Sequence, residues 1–264
     1  MDKISVFLAD WQVLFREGIH FTLSGEEDVE VVGESTNSED ALAFIQSNPP
    51  RVAILNIDHD KLSGINATRY LRQNFPSVAM ILIMDSDNDD HLFLAMKSGA
   101  AACLTKDTDP DELVETVRSV AQGGQPISEN LLRPEIASRV LYEFEEFASI
   151  SKQIDNLLAR LTPGETELLH NLAEGKSIEQ ICQTLNTDEE AIKRQFGFIV
   201  SKLISNDHNR EVIEAAQKDV LSLVSRTRGR KAKPPGDYIT KDEFSAFKDS
   251  LLERFRSLIG EIEK

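Results

Sequence analysis

The sequence predicts an α/β protein: a doubly wound, five-stranded parallel sheet, followed by an all-α helix-turn-helix domain and a C-terminal helix. Three features carry that expectation. Between residues 3 and 123, short β-branched runs alternate with helix-periodic stretches through five repeats, the pattern of β-α units whose connections cover both faces of a parallel sheet. After residue 160 come two Ser/Thr-x-x-Glu/Gln boxes, each opening a short apolar-faced segment. Near the end, Phe244, Phe247, Leu251, Phe255, Leu258 and Ile262 recur at helical spacing, opposite a face of Arg and Glu.

In chain order, residues 4–8, 29–32, 52–57, 79–84 and 102–104 read as strands, and 14–23, 38–45, 65–71, 89–97 and 110–120 as helices. Sheets of this kind carry their functional groups at the carboxyl ends of the strands. Three such ends fall at Asp10, Asn56 and Lys106. The first domain is expected over 1–125. A linker helix over 126–158 follows, since Ile136, Val140, Leu141, Phe144, Phe147, Ile150 and Ile154 keep helical periodicity after Pro134. Residues 159–224 form the helix-turn-helix domain, 225–239 a basic arm, and 240–264 an amphipathic helix.

Phe7-Leu8-Ala9-Asp10 with Leu14-Phe15-Arg16-Glu17-Gly18, then Gly64, Lys97-Ser98-Gly99-Ala100 and Leu104-Thr105-Lys106-Asp107, occur in that order. On these segments residues 1–125 resemble a receiver domain of the NarL/FixJ type of response regulator, a flavodoxin-like fold. The resemblance implies a phosphoacceptor Asp, two acidic residues after the first strand that hold magnesium, a Ser or Thr after the fourth strand, and a Lys after the fifth. This chain has Asn56, then Asp10 with Trp11, then Met84, then Lys106. An amide nitrogen is neither anionic nor nucleophilic, so Asn56 cannot accept phosphate as a carboxylate does. Trp11 cannot ligate a hard cation, and its bulk fills part of the site. Met84 has no hydroxyl to meet a phosphoryl oxygen. The expectation is a pseudo-receiver that does not work by aspartyl phosphorylation, with Lys106 left as the ion-pair partner of Asp10. Asp58 and Asp60 are candidate substitute acceptors, or more simply solvated loop carboxylates.

In the second half, Thr162-Pro163-Gly164-Glu165 is a capping box with Pro at the first helical position, followed by Leu168, Leu169 and Leu172, and stopped at Gly175. Ser177-Ile178-Glu179-Gln180 opens a second helix, Asn186-Thr187 turns the chain, and Asp188 caps a third whose apolar face is Ile192, Phe196, Ile199, Val200 and Leu203. With Leu161-Thr162-Pro163, Leu172-Ala173-Glu174-Gly175, Ile192-Lys193 and Lys202-Leu203, residues 160–220 resemble the LuxR-type DNA-binding domain. The resemblance implies a third helix in the major groove and a separate scaffold helix from Arg210 to about Leu223 that dimerises. By position it assigns Lys193, Arg194 and Gln195 to groove contact and Lys202 to the DNA backbone. Gly197 reads nothing and costs about 1 kcal/mol of helix propensity relative to Ala.

Charge runs against that assignment. The chain has 29 Lys and Arg against 45 Asp and Glu, a formal net charge of -16, whereas phosphate contacts provide much of DNA affinity. Asp188, Glu189 and Glu190 suit the helix dipole and repel phosphate. Arg226, Arg228, Arg230, Lys231 and Lys233 supply either a basic arm for a minor groove or a solvated linker. The amphipathic C-terminal stripe needs a partner: its own protein, a second subunit, or an outside protein.

Neither Cys103 and Cys182 nor the five histidines form a metal-ligand or nucleophile-base pattern, so no enzyme, metal or cofactor is expected. The absence of a signal peptide or membrane-length apolar run points to a cytoplasmic protein with no membrane partner. The reading that results is a phosphorylation-independent transcription regulator that binds double-stranded DNA as a homodimer, the receiver pairing or contacting a protein partner, as related receivers do through the fourth and fifth β-α units. The alternatives are a protein-interaction regulator with a degenerate DNA module, and a regulator whose old phosphorylation cleft takes a small ligand.

Overall fold

In the computed structural model, residues 3–57, 63–151 and 158–228 are described. Strands β1 (Ile4–Ala9), β2 (Val29–Ser35), β3 (Val52–Asn56), β4 (Ala79–Met84) and β5 (Ala102–Thr105) pair in parallel in the order β2-β1-β3-β4-β5. Helices α1 (Val13–Ser24), α2 (Ser38–Ser47), α3 (Gly64–Asn74), α4 (Asp89–Ser98) and α5 (Pro110–Ala121) connect them. β3 and β4 are buried along nearly their whole length, as strands covered on both faces must be. Strand order reverses between β1 and β3, which places the end of β1 beside the end of β3 at the switch point of the sheet.

β2 runs three residues past the predicted end at residue 32. Its apolar alternation stops there, yet the backbone continues because Gly33 lies against the Phe44 ring, where a Cβ would fall 2.6 Å from a ring carbon.

The two faces of the sheet differ. On one, α1 and α5 close a core of Val6, Leu8, Ile54, Ile81 and Val117. On the other, the core starts at Phe7 and Leu55 and continues through Ile127 and Leu131, then Val140, Phe144 and Phe147, to Leu168, Leu172, Phe196 and Val200. This continuity follows from a 3-10 helix, Pro126–Leu132, that the sequence did not announce, and from α6 (Pro134–Ser151). α6 begins at the predicted proline and packs its apolar face into the core, with Phe144 and Phe147 edge to face at 5.8 Å. Each fully buried side chain of this size contributes about 1.5–3 kcal/mol, so the linker is structural. Residues 152–157, the end of the predicted linker helix, lie outside the described residues, as do 229–264 with most of the basic arm and the whole C-terminal amphipathic helix.

α7 (Pro163–Ala173), α8 (Ile178–Leu185) and α9 (Glu189–Arg228) complete the described chain. Both predicted capping boxes form, and Asn186 takes the left-handed conformation (φ 50°) at the turn before the third helix. One expectation is corrected. The reading and scaffold helices are not separate, because α9 passes through Arg210 without a break. Ser205-Asn206-Asp207-His208-Asn209 has the composition of a helix end, but its two central side chains are held elsewhere. The Asn206 amide brackets the Ala159 backbone (2.7 and 2.8 Å), and Asp207 is buried between two cations. With their local competition for the backbone removed, the helix runs on.

The described residues up to 212 form one compact unit. Among the described residues no helix is long and apolar enough to cross a membrane.

Candidate functional site

The ends of β1 and β3 bring Asp10 and Asn56 together, both almost completely buried. Asn56 Nδ2 donates to Asp10 Oδ2 at 2.8 Å, and the backbone N–H of Gln12 donates to Asp10 Oδ1 at 2.7 Å. Because a carboxylate only accepts, the amide must present its nitrogen here. Gly64 opens α3 directly against this pair: a Cβ at that position would lie 2.4 Å from the Asn56 carbonyl oxygen. Glycine is therefore the residue that lets α3 start so close to β3.

Lys106 follows β5 and reaches the same place. Its Nζ is 3.8 Å from Asp10 Oδ2, but its nearer carboxylate is Asp85, the residue after β4. The expected Lys106–Asp10 pair is thus the longer of two contacts. Trp11 does not fill the site. It is 40% exposed and lies over Lys106 from outside (5.7 Å from Nζ to the ring centre), with Phe15 at 5.2 Å. Met84 is buried, its carbonyl accepting from the Lys106 N–H. Asp58 and Asp60 lie outside the described residues.

The donor set does not suit the magnesium ion that receivers of this fold imply. One lone-pair direction of Asp10 is taken by an amide N–H and another by a backbone N–H, and the neighbouring side chain is an indole. A hard divalent cation asks for several free oxygens.

Sequence reading missed a second layer behind Asp10. Arg16 donates from one guanidinium nitrogen to the Asp10 carbonyl (2.9 Å) and from Nε to Glu34 (2.7 Å), while His20 meets the other Glu34 oxygen. Burial pushes the Glu34 carboxyl up, but His20 and Arg16 outweigh it and hold the group below the usual carboxylate range. Arg16 stood inside a motif segment. Its role was hidden because Glu34 lies on a different element.

On α9 the three described cations expected at DNA, Lys193, Arg194 and Lys202, each lie beside a glutamate. Lys193 meets Glu189 at 3.0 Å and Glu129, on the 3-10 helix, at 3.7 Å. Glu189 first, then Glu129, raises its ammonium above the ordinary lysine range. Arg194 is exposed and 3.7 Å from Glu190. Gln195 Oε1 is buried with no hydrogen-bond partner. Lys202, expected near the DNA backbone, donates to both oxygens of Glu165 (2.6 and 2.8 Å), the glutamate of the α7 capping box. Burial raises the Glu165 carboxyl, but Lys202 and Thr162 outweigh this and leave it low. Arg228 ends α9, and Arg230 and Lys231 lie outside the described residues.

The same long helix reaches the receiver. Asp207 accepts from Lys97 of α4 at 2.9 Å and from Arg69 of α3 at 3.1 Å. Lys97 also meets Glu143 of α6, which takes Arg210 at 3.3 Å. No local pattern marks this cluster, since its members come from four helices.

A doubly wound domain with a polar cluster at its switch point, joined through a helix to a helix-turn-helix domain, defines a receiver-and-output regulator. Comparison with known proteins agrees. Residues 6–118 match the response regulator receiver domain. The chain is similar to the transcriptional regulatory protein DegU of Brevibacillus brevis, 31% identical over 225 residues, covering 81% of this chain and 93% of that one. It is also similar to a nitrate/nitrite response regulator protein homolog of Haemophilus influenzae, 30% identical over 209 residues, 79% of this chain and 93% of that one. Among solved structures, the signal receiver domain of the response regulator NarL from Mycobacterium tuberculosis is 32% identical and covers 47% of this chain and 99% of that one, with a TM-score of 0.45. The chain belongs to the response regulators of the NarL/LuxR family.

Proposed function

We propose that the protein is a phosphorylation-independent response regulator, a pseudo-receiver joined to a LuxR-type domain, acting in the cytoplasm as a dimeric DNA-binding transcription regulator. One observation carries this reading: the Asn56 amide stands at the acceptor position and donates to Asp10 at 2.8 Å. The position has no nucleophilic oxygen, and the neighbouring carboxylate that would share in metal binding is already satisfied by N–H groups. Output through DNA is supported by relatives named as transcriptional regulators. Pairing is supported by α1, where Leu14 and Phe21 are largely exposed two turns apart, an apolar face of the kind that interfaces cover.

The test combines intact mass after incubation with acetyl phosphate and magnesium with selection from a random DNA pool at one stated salt concentration, without a phosphodonor. The expected result is no phosphoryl adduct and an enriched inverted repeat. A stoichiometric adduct that sharpens DNA binding overturns the reading.

A protein-interaction regulator with a degenerate DNA module is favoured by one observation: Lys193, Arg194 and Lys202 all face glutamates, and a cation already paired releases few phosphate counterions on binding. Folded protein that enriches no sequence selects this second reading.

A further inference from the structure

At the opposite end of the sheet from Asp10, the starts of β3, β4 and β5 border a cavity of about 320 Å³, within the size range of small-molecule sites. Arg51 and Arg72, both exposed, line it, with Ser77 and Gln125 as further polar groups and Gly99, Gly123 and Gly124 in its wall. No carboxylate lines it, in a chain where acidic residues outnumber basic ones 45 to 29.

The pairing of arginines singles out few of them. Among the described residues up to 212, Arg16, Arg69, Arg118, Arg133, Arg139, Arg194 and Arg210 each have a carboxylate within ion-pair distance. Arg51, Arg72 and Arg160 have none among them, and two of these three line this one cavity. Arg51 Nε donates to the Ala121 carbonyl at 2.7 Å, and Arg72 reaches the Gly99 carbonyl only at 3.4 Å. Each guanidinium carries five N–H donors, so most remain for an occupant. A planar fork of this kind fits an anion with two or more oxygens, phosphate above all, and a concave site lined by one sign of charge concentrates the opposite ion.

We propose that this cavity is a binding site for a small multivalent oxyanion, of the phosphate monoester or diphosphate class. Residues 123–125 form part of its wall and lead straight into the 3-10 helix and α6, so an occupant touches the segment that joins the receiver to the output half. The site is separate from the Asp10 cluster and does not depend on how that cluster functions.

The experiment titrates inorganic pyrophosphate into the full-length protein at constant ionic strength, by calorimetry, with backbone amide NMR as a second readout. Saturable one-site binding is expected, with shifts at the Gly99, Gly123 and Gly124 amides. Affinity should fall at least tenfold in Arg72→Gln. Ser77→Glu, an exposed turn position that leaves both arginines in place, should weaken binding similarly by setting a carboxylate among them. Circular dichroism checks that each variant is folded. Absence of saturation overturns the proposal. So does binding that survives both substitutions or leaves the three glycine amides unmoved, which assigns the anion to basic residues elsewhere, such as 226–233.

Discussion

Two buried aspartates, Asp10 and Asp207, are held in different ways. Asp10 is satisfied mainly by neutral donors of its own domain, the Asn56 amide and the Gln12 backbone, with Lys106 at 3.8 Å. Asp207 is held by two cations far away in sequence, Lys97 and Arg69, within a cluster that includes Glu143 and Arg210. The first arrangement closes a site upon itself. The second joins the receiver to the output helix, so the ion pairs around Asp207 bridge the two halves while those around Asp10 stay within the receiver.

Breaking each arrangement should separate them. Asp207→Ala leaves Lys97 to Glu143 alone and Arg69 to Glu211, so the loss falls below the roughly 3–5 kcal/mol of an uncompensated buried charge, at about 2 kcal/mol. Urea unfolding should show that loss, and small-angle scattering should show a larger radius of gyration as the halves part. An unchanged radius would mean that the apolar core alone holds the seam. Gly64→Ala acts on the other cluster: its Cβ meets the Asn56 carbonyl at 2.4 Å, and overpacking of this kind costs about 2 kcal/mol. The expected result is lower stability with an unchanged radius.

Asn56→Asp is milder and tests the sign of the local field. Two carboxylates in contact raise the pKa of one of them. A group raised above its unfolded value destabilises as pH rises, so the variant should lose about 1 kcal/mol at neutral pH and recover as pH falls toward about 4. No response to acetyl phosphate is expected, since Met84 still lacks a hydroxyl. The smallest effect concerns Glu165, whose carboxyl is held low by Lys202 and Thr162 against the opposing push of burial. Its contribution is present above the unfolded value of about 4.3 and lost as pH falls through the folded value. Glu165→Gln should therefore flatten the acid limb of the stability profile, measured by thermal melts between neutral pH and about pH 3.

Much of this was legible in the sequence, for identifiable reasons. The five strands are apolar runs bounded by turn residues, so their positions followed from composition. Asp10, Asn56 and Lys106 stand at strand ends, where a parallel sheet gathers its functional groups. The length of β2 was not legible, because Gly33, Glu34 and Ser35 carry no apolar alternation and the strand persists through a ring packed on a glycine. The unbroken α9 was not legible either, since Asn206 and Asp207 look like helix-ending residues until Ala159, Arg69 and Lys97 occupy their side chains. Partners from other elements leave no local trace, which is also why the Lys202–Glu165 pair was not foreseen.

The unbroken α9 makes the output half a lever. Lys193 and Asp207 are fourteen residues apart on it, about four whole turns, and so share one side of the rod. The same side meets Glu129 at one point and the receiver's Lys97 and Arg69 at the other. Under the proposed DNA-reading role, a duplex would have to compete with Glu129 and Glu189 for Lys193, and a shift of the rod there would load the grip on Asp207 at its other end.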